Sequence, residues 1–300
     1  MAVLLSELIR DLDGATLRGP DVPVRGVTDD SRGVGAGDVF VAVRGLTVDG
    51  HAFARAAVER GAAAIVVEAE QPLDATQVIV PSGARALGPL VARAAGEPAA
   101  RMRMIGVTGT NGKTTTTYVV ESILAAAGRS PGVIGTVSFR FGGATAPSTF
   151  TTPAPRELHA LFSDMAAAGT TEVVMETSSA ALEMERLGGV SFRVAAFSNL
   201  TQDHLEVHGT MERYLEAKAR LFGDLLAGDG VAVANIDDPA GETMLARAPA
   251  GARRLRVSLH RDAEIRVVRA DSSVRGVRAT IATPRGELEV ASAALYGEYN

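Results

Sequence analysis

Met104-Ile-Gly-Val-Thr-Gly-Thr-Asn-Gly-Lys-Thr-Thr-Thr-Thr117 is the stretch that decides the fold. The apolar run from Met102 to Val107 predicts a buried strand, and a helix is predicted from about Lys113 to Ala127 after a glycine-rich turn. A strand, a glycine loop and a helix around Gly-Lys-Thr are typical of phosphate binding. Glycines let backbone N–H groups approach an anion closely, and the helix N-terminus adds partial positive charge.

The loop is a variant of the strict phosphate-binding pattern. Lys113 can reach terminal phosphates, and the Thr114 hydroxyl can hold Mg²⁺. The strict pattern has a glycine where this chain has Val107, and the nearest glycines are Gly106 and Gly109. The alternative is an ordinary strand-to-helix turn, in which the Lys-Thr pair would be accidental.

Composition narrows the classes of function. A length of 300 residues suggests two domains, and a hydrophobic content of 46% is enough for real cores. A net charge of −5, no Trp and 4% aromatic residues argue against a nucleic-acid partner. The absence of Cys excludes disulfides and thiolate metal sites. The N-terminus has no basic segment, and no apolar run is long enough to cross a membrane, so we expect a cytoplasmic protein without membrane insertion.

The alternation of strands and helices predicts an α/β fold with two domains, residues 1–97 and 98–300. The first is a small α/β domain with these predicted elements: strands Val39–Val43, Ala62–Val67 and Gln77–Val80, and helices Phe53–Arg60 and Ala84–Ala95.

The second predicted domain is a doubly wound, mostly parallel sheet with its ligand site at the carboxyl ends of the strands. Short alternating strands between Leu255 and about Ala291 predict an antiparallel edge, and Gly142 to Pro155 is predicted as a loop. The other predicted elements are strands Val133–Ile134, Glu172–Thr177, Phe192–Phe197 and Gly230–Ala234, and helices Arg156–Ala168 and Met211–Leu226.

Polar residues follow two of these strands and should converge on the phosphate loop. Glu176, Ser178 and Ser179 stand at the end of one strand, and Asn199, Asp203 and His204 follow the next. A carboxylate and an imidazole there can hold a second Mg²⁺ or position a phosphate. Separately, Glu176 can also be a solvated strand cap and His204 a structural residue. Lys218 lies on an amphipathic helix, and its pattern alone indicates a solvated face.

Six stretches of the sequence together resemble the Mur ligases, the ATP-dependent amide-forming enzymes of peptidoglycan synthesis. The resemblance covers most of the chain and is strongest at the branch that adds the third peptide residue. The stretches are Thr28–Arg32, Gly109–Thr117, Thr151–Pro153, Met175–Ser179, Asn199–His204 with Glu216–Lys218, and Leu295–Asn300.

The resemblance implies a small UDP-binding N-terminal domain and an ATPase-like central domain with a phosphate loop. It also implies that the protein uses ATP and Mg²⁺. We expect a monomer. The implied reaction joins a diamino acid, meso-diaminopimelate or L-lysine, to UDP-N-acetylmuramoyl-L-alanyl-D-glutamate through an acyl phosphate. The neighbouring branch, which adds D-Ala-D-Ala, is the alternative within the family, and Thr151-Thr-Pro153 argues against it. Folate polyglutamate synthesis is disfavoured, because Thr28–Arg32 would have no purpose there.

The resemblance also implies roles for individual residues. Lys113, Glu176, His204 and Lys218 would be catalytic. Thr114, Glu176, His204 and a carbamylated Lys218 would hold Mg²⁺. ATP would be bound by Gly109, Thr110, Asn111, Gly112, Lys113, Thr114, Thr115 and Asn300. The UDP-muramoyl dipeptide would be held by Ser31, Thr151, Thr152, Ser178 and Arg186.

Two departures from the family pattern affect these expectations. The family has Ser-Ser-His after the glutamate strand, and this chain has Ala180 in place of the histidine. The family also has a third, C-terminal domain that binds the incoming amino acid, and these residues do not contain one. From the sequence we expect binding of nucleotide and UDP substrate with little ligation. The alternative is a non-catalytic nucleotide-binding or UDP-sugar-binding relative.

Overall fold

The computed structural model describes residues 3–45, 47–148, 150–203, 205–273 and 275–293. These residues form two compact units. Unit 1 takes the described residues of Met1–Met102, Pro153–Thr171 and Glu183–Val190. Unit 2 takes those of Arg103–Thr152, Glu172–Leu182 and Ser191–Asn300.

The helices in the described residues are short. None of them is long and apolar enough to cross a membrane. In chain order they are α1 (Leu5–Ile9), α2 (Ala54–Glu59), α3 (Gly83–Ala94), α4 (Lys113–Ala126), α5 (Pro155–Ala167), α6 (Ser179–Glu183), α7 (Leu205–His208), α8 (Met211–Gly223) and α9 (Ala240–Arg247).

The strands alternate with these helices along most of the chain. In chain order they are β1 (Val3–Leu4), β2 (Thr16–Arg18), β3 (Pro23–Val24), β4 (Gly26–Thr28), β5 (Asp38–Val41), β6 (Ala64–Val67), β7 (Thr76–Ile79), β8 (Arg103–Thr108), β9 (Pro131–Ile134), β10 (Ser138–Phe141), β11 (Ala144–Pro147), β12 (Glu172–Glu176), β13 (Phe192–Phe197), β14 (Leu226–Asn235), β15 (Arg253–Ser258), β16 (Ile265–Ser273), β17 (Gly276–Thr283) and β18 (Gly286–Ser292).

Unit 1 is a five-stranded sheet with an apolar core on each face. Its strand order is β2-β7-β6-β5-β4, and only the β2–β7 pair is antiparallel. Val39 and Val41 of β5 belong to one core, while Phe40 belongs to the other. Successive side chains of a strand point to opposite faces, so a strand covered on both faces is apolar throughout. This explains why the central strands of unit 1 were predictable from continuous apolar runs.

Unit 2 is an eleven-stranded sheet in the order β11-β10-β9-β12-β8-β13-β14-β15-β16-β17-β18. The strands from β9 to β16 in this order are parallel, and the hairpins at both edges are antiparallel. From β8 the chain first builds β9 and β12 on one side, and then β13, β14 and β15 on the other. The carboxyl end of β8 therefore lies where the strand order reverses, which is the usual ligand position in such sheets.

The predicted fold class is confirmed, with local differences in the bounds and number of elements. The predicted loop from Gly142 to Pro155 contains β11, whose four residues are all exposed. Backbone pairing forms that strand, so no apolar alternation marks it in the sequence. The antiparallel edge begins at β16, because β15 still pairs in parallel with β14. Helix α8 ends at Gly223, three residues before the predicted end. The predicted domain division at 97 and 98 stays a prediction.

Candidate functional site

The phosphate loop links the end of β8 to the start of α4. Gly109 has a φ of 144°, and a Cβ there would lie 2.0 Å from the Ser198 hydroxyl oxygen, so only glycine fits. Asn199 supports the next two residues of the loop. Its carbonyl accepts from the Thr110 N–H at 2.8 Å, and its side-chain oxygen accepts from the Asn111 N–H at 2.9 Å. Because Asn199 follows β13, the neighbouring strand fixes the shape of the loop.

Both lysines of the chain point at one atom of this loop. Lys113 and Lys218 are the only lysines among 30 lysine and arginine residues. Each Nζ donates to the Gly109 carbonyl oxygen at 2.9 Å, and Lys113 also donates to the Thr110 carbonyl at 2.8 Å. The Nζ of Lys218 lies 4.3 Å from the ring centroid of Tyr214. The two side chains with a compact amine that can lose a proton thus both lie at the loop. All the other residues in this set of 30 are arginines.

Burial changes the proton affinity of both amines. It lowers the pKa of Lys113, and the carboxylates of Glu176 and Asp203 oppose that shift. It lowers the pKa of Lys218 to about 7, with a further contribution from the Lys113 charge and opposition from Asp203. Lys218 is 1% exposed, although its helix pattern indicated a solvated face. An amine with a pKa of about 7 is neutral, and therefore nucleophilic, in about half of the molecules at pH 7.

Glu176 is the buried carboxylate of the site. It ends β12 and is 1% exposed. Its Oε1 accepts from the Thr114 hydroxyl at 2.9 Å and from the Thr136 N–H at 2.9 Å. Its Oε2 accepts from the Thr136 hydroxyl at 3.1 Å. The interpretation of Glu176 as a solvated cap is therefore wrong, because the carboxylate is bonded to the first turn of α4.

Two further threonines lie in the segment before α5 and join it to Thr136 and to the backbone of Glu176. The Thr151 hydroxyl lies 3.0 Å from that of Thr136. The buried Thr152 hydroxyl donates to the Glu176 carbonyl at 2.9 Å and lies 3.3 Å from the Ser178 hydroxyl oxygen. The chain thus places Thr151, Thr152 and Ser178 beside Glu176.

A cavity of about 390 Å³ brings most of the predicted residues of unit 2 together. Ser31 and Arg186 belong to unit 1. Ser31 begins a short 3-10 turn after β4, and Arg186 follows α6. His204 and Asn300 lie outside the described residues. The predicted residues that line the cavity are Thr110, Asn111, Gly112, Lys113, Thr114, Thr115, Thr151, Glu176, Ser178 and Lys218.

Ser179, which follows Ser178 after β12, also lines the cavity, as expected from the sequence. Thr136 and Tyr214 line it as well and were not predicted. Thr136 is a single threonine after a short strand, so no motif marks it. Tyr214 lies one helical turn before Lys218, and this i, i+4 spacing was a usable signal. The residues after β14 were also missed. Asn235 donates to the Ser198 carbonyl at 2.9 Å and Asp238 accepts from the Leu200 N–H at 2.6 Å, so they support the segment that shapes the loop.

Replacing Thr136 tests the hydrogen bonds that hold Glu176. Thr136→Val keeps the shape but removes the hydroxyl that donates to Oε2, so we expect a loss of about 1 kcal/mol in unfolding free energy. Thr136→Ser keeps the hydroxyl and should lose less. Denaturant unfolding of the two variants beside the original chain measures the difference. Equal stability of the Val and Ser variants would contradict the role of the hydroxyl.

Replacing Lys218 tests its lowered pKa. The unfolded chain binds a proton on this amine up to its ordinary pKa of 10.5, whereas the folded chain releases it above about 7. Unfolding free energy should therefore rise with pH across this window, and the full cost of burial applies below it. Relative to Lys218→Met, the original chain should gain roughly 2–4 kcal/mol between pH 7 and pH 10 in CO₂-free buffer. Parallel pH profiles of the two proteins would show that Lys218 has an ordinary pKa.

Comparison with known proteins adds a family to this geometry. Residues 107–300 match the Mur ligase middle domain, and residues 23–101 match the Mur ligase family, catalytic domain. A solved structure of a UDP-N-acetylmuramoyl-L-alanyl-D-glutamate--2,6-diaminopimelate ligase superposes with a TM-score of 0.86 at 32% identity. The superposition covers 100% of this chain and 61% of the chain of that ligase. MurF from Acinetobacter baumannii shares the fold, with a TM-score of 0.62 at 20% identity.

Curated relatives carry the same ligase name. The enzyme from Geobacter sulfurreducens is 41% identical over 290 residues, which are 94% of this chain and 57% of the relative. The enzyme from Chlorobaculum tepidum is 48% identical over 228 residues, which are 75% of this chain and 44% of the relative. This chain thus spans little more than half the length of the curated relatives it matches. With its middle-domain match covering most of the sequence, the chain belongs to the Mur ligase family.

Proposed function

We propose that this chain carries the ATP-binding and UDP-substrate-binding parts of an ATP-dependent amide ligase of peptidoglycan precursor synthesis. The reaction adds a diamino acid to UDP-N-acetylmuramoyl-L-alanyl-D-glutamate. The names of the relatives support this substrate and favour diaminopimelate over L-lysine. The observation that carries the proposal is the link between the phosphate loop and Glu176, made by the Thr114 hydroxyl at 2.9 Å.

ATP binds with its phosphates on the loop from Gly109 to Thr115. In the structure, Lys113 donates to the carbonyls of Gly109 and Thr110. A triphosphate is a stronger acceptor for a charged amine than a neutral carbonyl, so Lys113 would exchange these partners for phosphate oxygens. Asn300 is proposed for the adenine side on the basis of the family resemblance alone.

The donor set around Glu176 fits Mg²⁺. This ion takes one or two carboxylates, with water and substrate phosphates filling the other positions. A buried carboxylate next to a threonine hydroxyl at the start of α4 supplies that combination. Glu176 and Thr114 would hold the ion, with His204 and carbamylated Lys218 as the further proposed ligands. Mg²⁺ supplies charge neutralisation of the phosphates when it is bound.

The environment of Lys218 favours carbamylation. Carbamate forms when a neutral amine attacks CO₂, forming a C–N bond and releasing one proton. Burial beside Tyr214 and near the charge of Lys113 keeps much of the Lys218 amine neutral near pH 7. The product is an anion beside the Lys113 cation, so the modification replaces a repulsive pair with an attractive one.

The residues proposed to bind the UDP-muramoyl dipeptide are those that the family resemblance implies. Ser31 contacts the UDP end, and Arg186, Thr151, Thr152 and Ser178 hold the dipeptide. Residues 1–97 and 98–300 are the proposed substrate-binding and ATP-binding domains. The location is proposed to be cytoplasmic and the assembly state monomeric.

The D-glutamate side-chain carboxylate attacks the γ-phosphorus of ATP, the bond to ADP breaks, and an acyl phosphate forms. The amino group of the diamino acid then attacks the acyl carbon, loses a proton and displaces inorganic phosphate. Phosphoryl transfer depends on positioning and charge neutralisation more than on a strong base. Lys113 supplies a positive charge where the transferred group lies, and Thr151 and Ser178 orient the acceptor carboxylate. The cavity-lining residues contain no Cys and no Ser–His–Asp arrangement, which agrees with a mechanism without an enzyme nucleophile.

Calorimetry on the 300-residue chain tests the two binding functions. We expect one site for Mg·ATP and one for UDP-N-acetylmuramoyl-L-alanyl-D-glutamate. Lys113→Ala removes a charged hydrogen bond to phosphate, so the Kd for Mg·ATP should rise about 10- to 100-fold. The Kd for the UDP substrate should not change, which controls for misfolding. Unchanged ATP affinity in Lys113→Ala would contradict the assignment of the loop.

A ligation assay on the protein in its full natural length tests the reaction. ATP-dependent product should form with diaminopimelate or L-lysine, and D-Ala-D-Ala should give none. Product with D-Ala-D-Ala alone would place the protein in the neighbouring branch. Binding of both ligands without any product would favour the non-catalytic alternative, for which Ala180 is the local argument.

A further inference from the structure

The segment that carries Arg186 is a tightly folded loop of unit 1, residues 184–190, here called the Arg186 loop. Glu185 has a φ of 57°, in the left-handed region that few residues other than glycine occupy. The Gly188 N–H donates to the Glu185 carbonyl and the Val190 N–H donates to that of Leu187. Leu187 and Val190 are buried. The loop is thus anchored on both sides of Arg186 in a conformation that costs energy and needs support from its neighbours.

Helix α3 supplies one support through a direct backbone contact. A Cβ at Gly88 would lie 2.5 Å from the Gly188 carbonyl oxygen, and a Cβ at Gly188 would lie 2.9 Å from the Pro89 ring. Gly88 and Pro89 both stand inside α3, where each is unfavourable for a helix. Gly88 and Pro89 lie where the backbone of the Arg186 loop contacts α3. This contact explains why the helix contains them although they lower its stability. The Arg85–Glu185 ion pair, at 3.1 Å, joins the same two elements.

Helix α5 supplies the second support through one imidazole. His159 is 1% exposed, and its Nε2 lies 3.0 Å from the Gly188 carbonyl oxygen. That oxygen can only accept, so Nε2 carries the proton. The ring packs edge to face on Phe162, with centroids 5.6 Å apart. Its Nδ1 has no hydrogen-bond partner in the part of the chain that the structure describes. An apolar side chain would pack here without burying this polar atom, so the hydrogen bond to Gly188 is the reason for a histidine.

We propose that His159 is a positioning residue for substrate binding. Through the Gly188 carbonyl it holds the Arg186 loop in the conformation in which Arg186 binds a carboxylate of the muramoyl dipeptide. This inference rests on the proposed function, from which the ligand of Arg186 is taken. It assigns to a buried side chain of α5 a role in dipeptide affinity, with no contact between His159 and the substrate.

The test compares three variants of His159 and two ligands by calorimetry on the 300-residue chain. His159→Leu removes the donor. His159→Gln puts an amide N–H near the position of Nε2, whereas the amide of His159→Asn is one carbon nearer its own main chain and does not reach that position. The ligands are UDP-N-acetylmuramoyl-L-alanyl-D-glutamate and UDP-N-acetylmuramic acid, which lacks the dipeptide. The Leu and Asn variants should raise the Kd of the dipeptide ligand about five- to tenfold. The Gln variant should stay within about twofold, and the second ligand should bind all variants equally.

Repeating the test in the Arg186→Ala variant separates an effect on the position of Arg186 from an effect on protein stability. In Arg186→Ala, adding His159→Leu should weaken dipeptide binding no further, because both changes act through one contact. A lower Tm with unchanged Kd values, or equal weakening of both ligands, would overturn the proposal. If His159→Leu does not fold, the Asn and Gln pair decides the outcome. An original chain that binds neither ligand would refute the proposed function and this inference together, whereas normal binding with insensitive variants would refute only the inference.

Discussion

The site depends on one shared hydrogen-bond acceptor, the Gly109 carbonyl oxygen, to which both Lys113 and Lys218 donate. Two buried amines that donate to the same oxygen cannot both stay charged, because their repulsion adds to the loss of hydration. The deeper amine, Lys218, takes most of the shift, and its pKa falls to about 7. The carboxylate of Glu176 opposes the lowering of the Lys113 pKa. One carbonyl thereby holds together two lysines whose pKa values are lowered to different extents.

The sheet explains why these groups meet. The loop leaves β8 at the point where the strand order reverses, so β12 and β13 flank it and end at the same edge. The first brings Glu176 and the second leads to Asn199, while α8 brings Lys218 and Tyr214 from one face of the sheet. Helix α8 can approach β8 closely because Gly106 has no side chain. A Cβ at Gly106 would lie 2.8 Å from Leu221 of α8. Position along parallel strands, rather than a single motif, thus assembles the site.

Much of the fold and part of the site could be predicted from the sequence. β8, β13 and α4 agree with their predictions to within one residue, because continuous apolar runs and a glycine loop mark them clearly. The burial of Lys218 could not be predicted from its helix, since a lysine next to alanines has the pattern of a solvated face. Thr136 has no motif, and only the bond to Glu176 reveals it. His159 was part of a predicted helix, but its partner Gly188 lies far along the chain and is brought near by tertiary packing.

We propose above all that the Lys113 amine, which donates to the loop carbonyls of Gly109 and Thr110, receives the phosphates of ATP. Acylation with an amine-reactive reagent tests it directly, since the chain has only two lysines to quantify by mass spectrometry. Lys113 should be labelled in the free chain and in the presence of AMP, and protected by Mg·ATP in a saturable manner. Equal labelling of Lys113 with and without saturating Mg·ATP would contradict this role of Lys113.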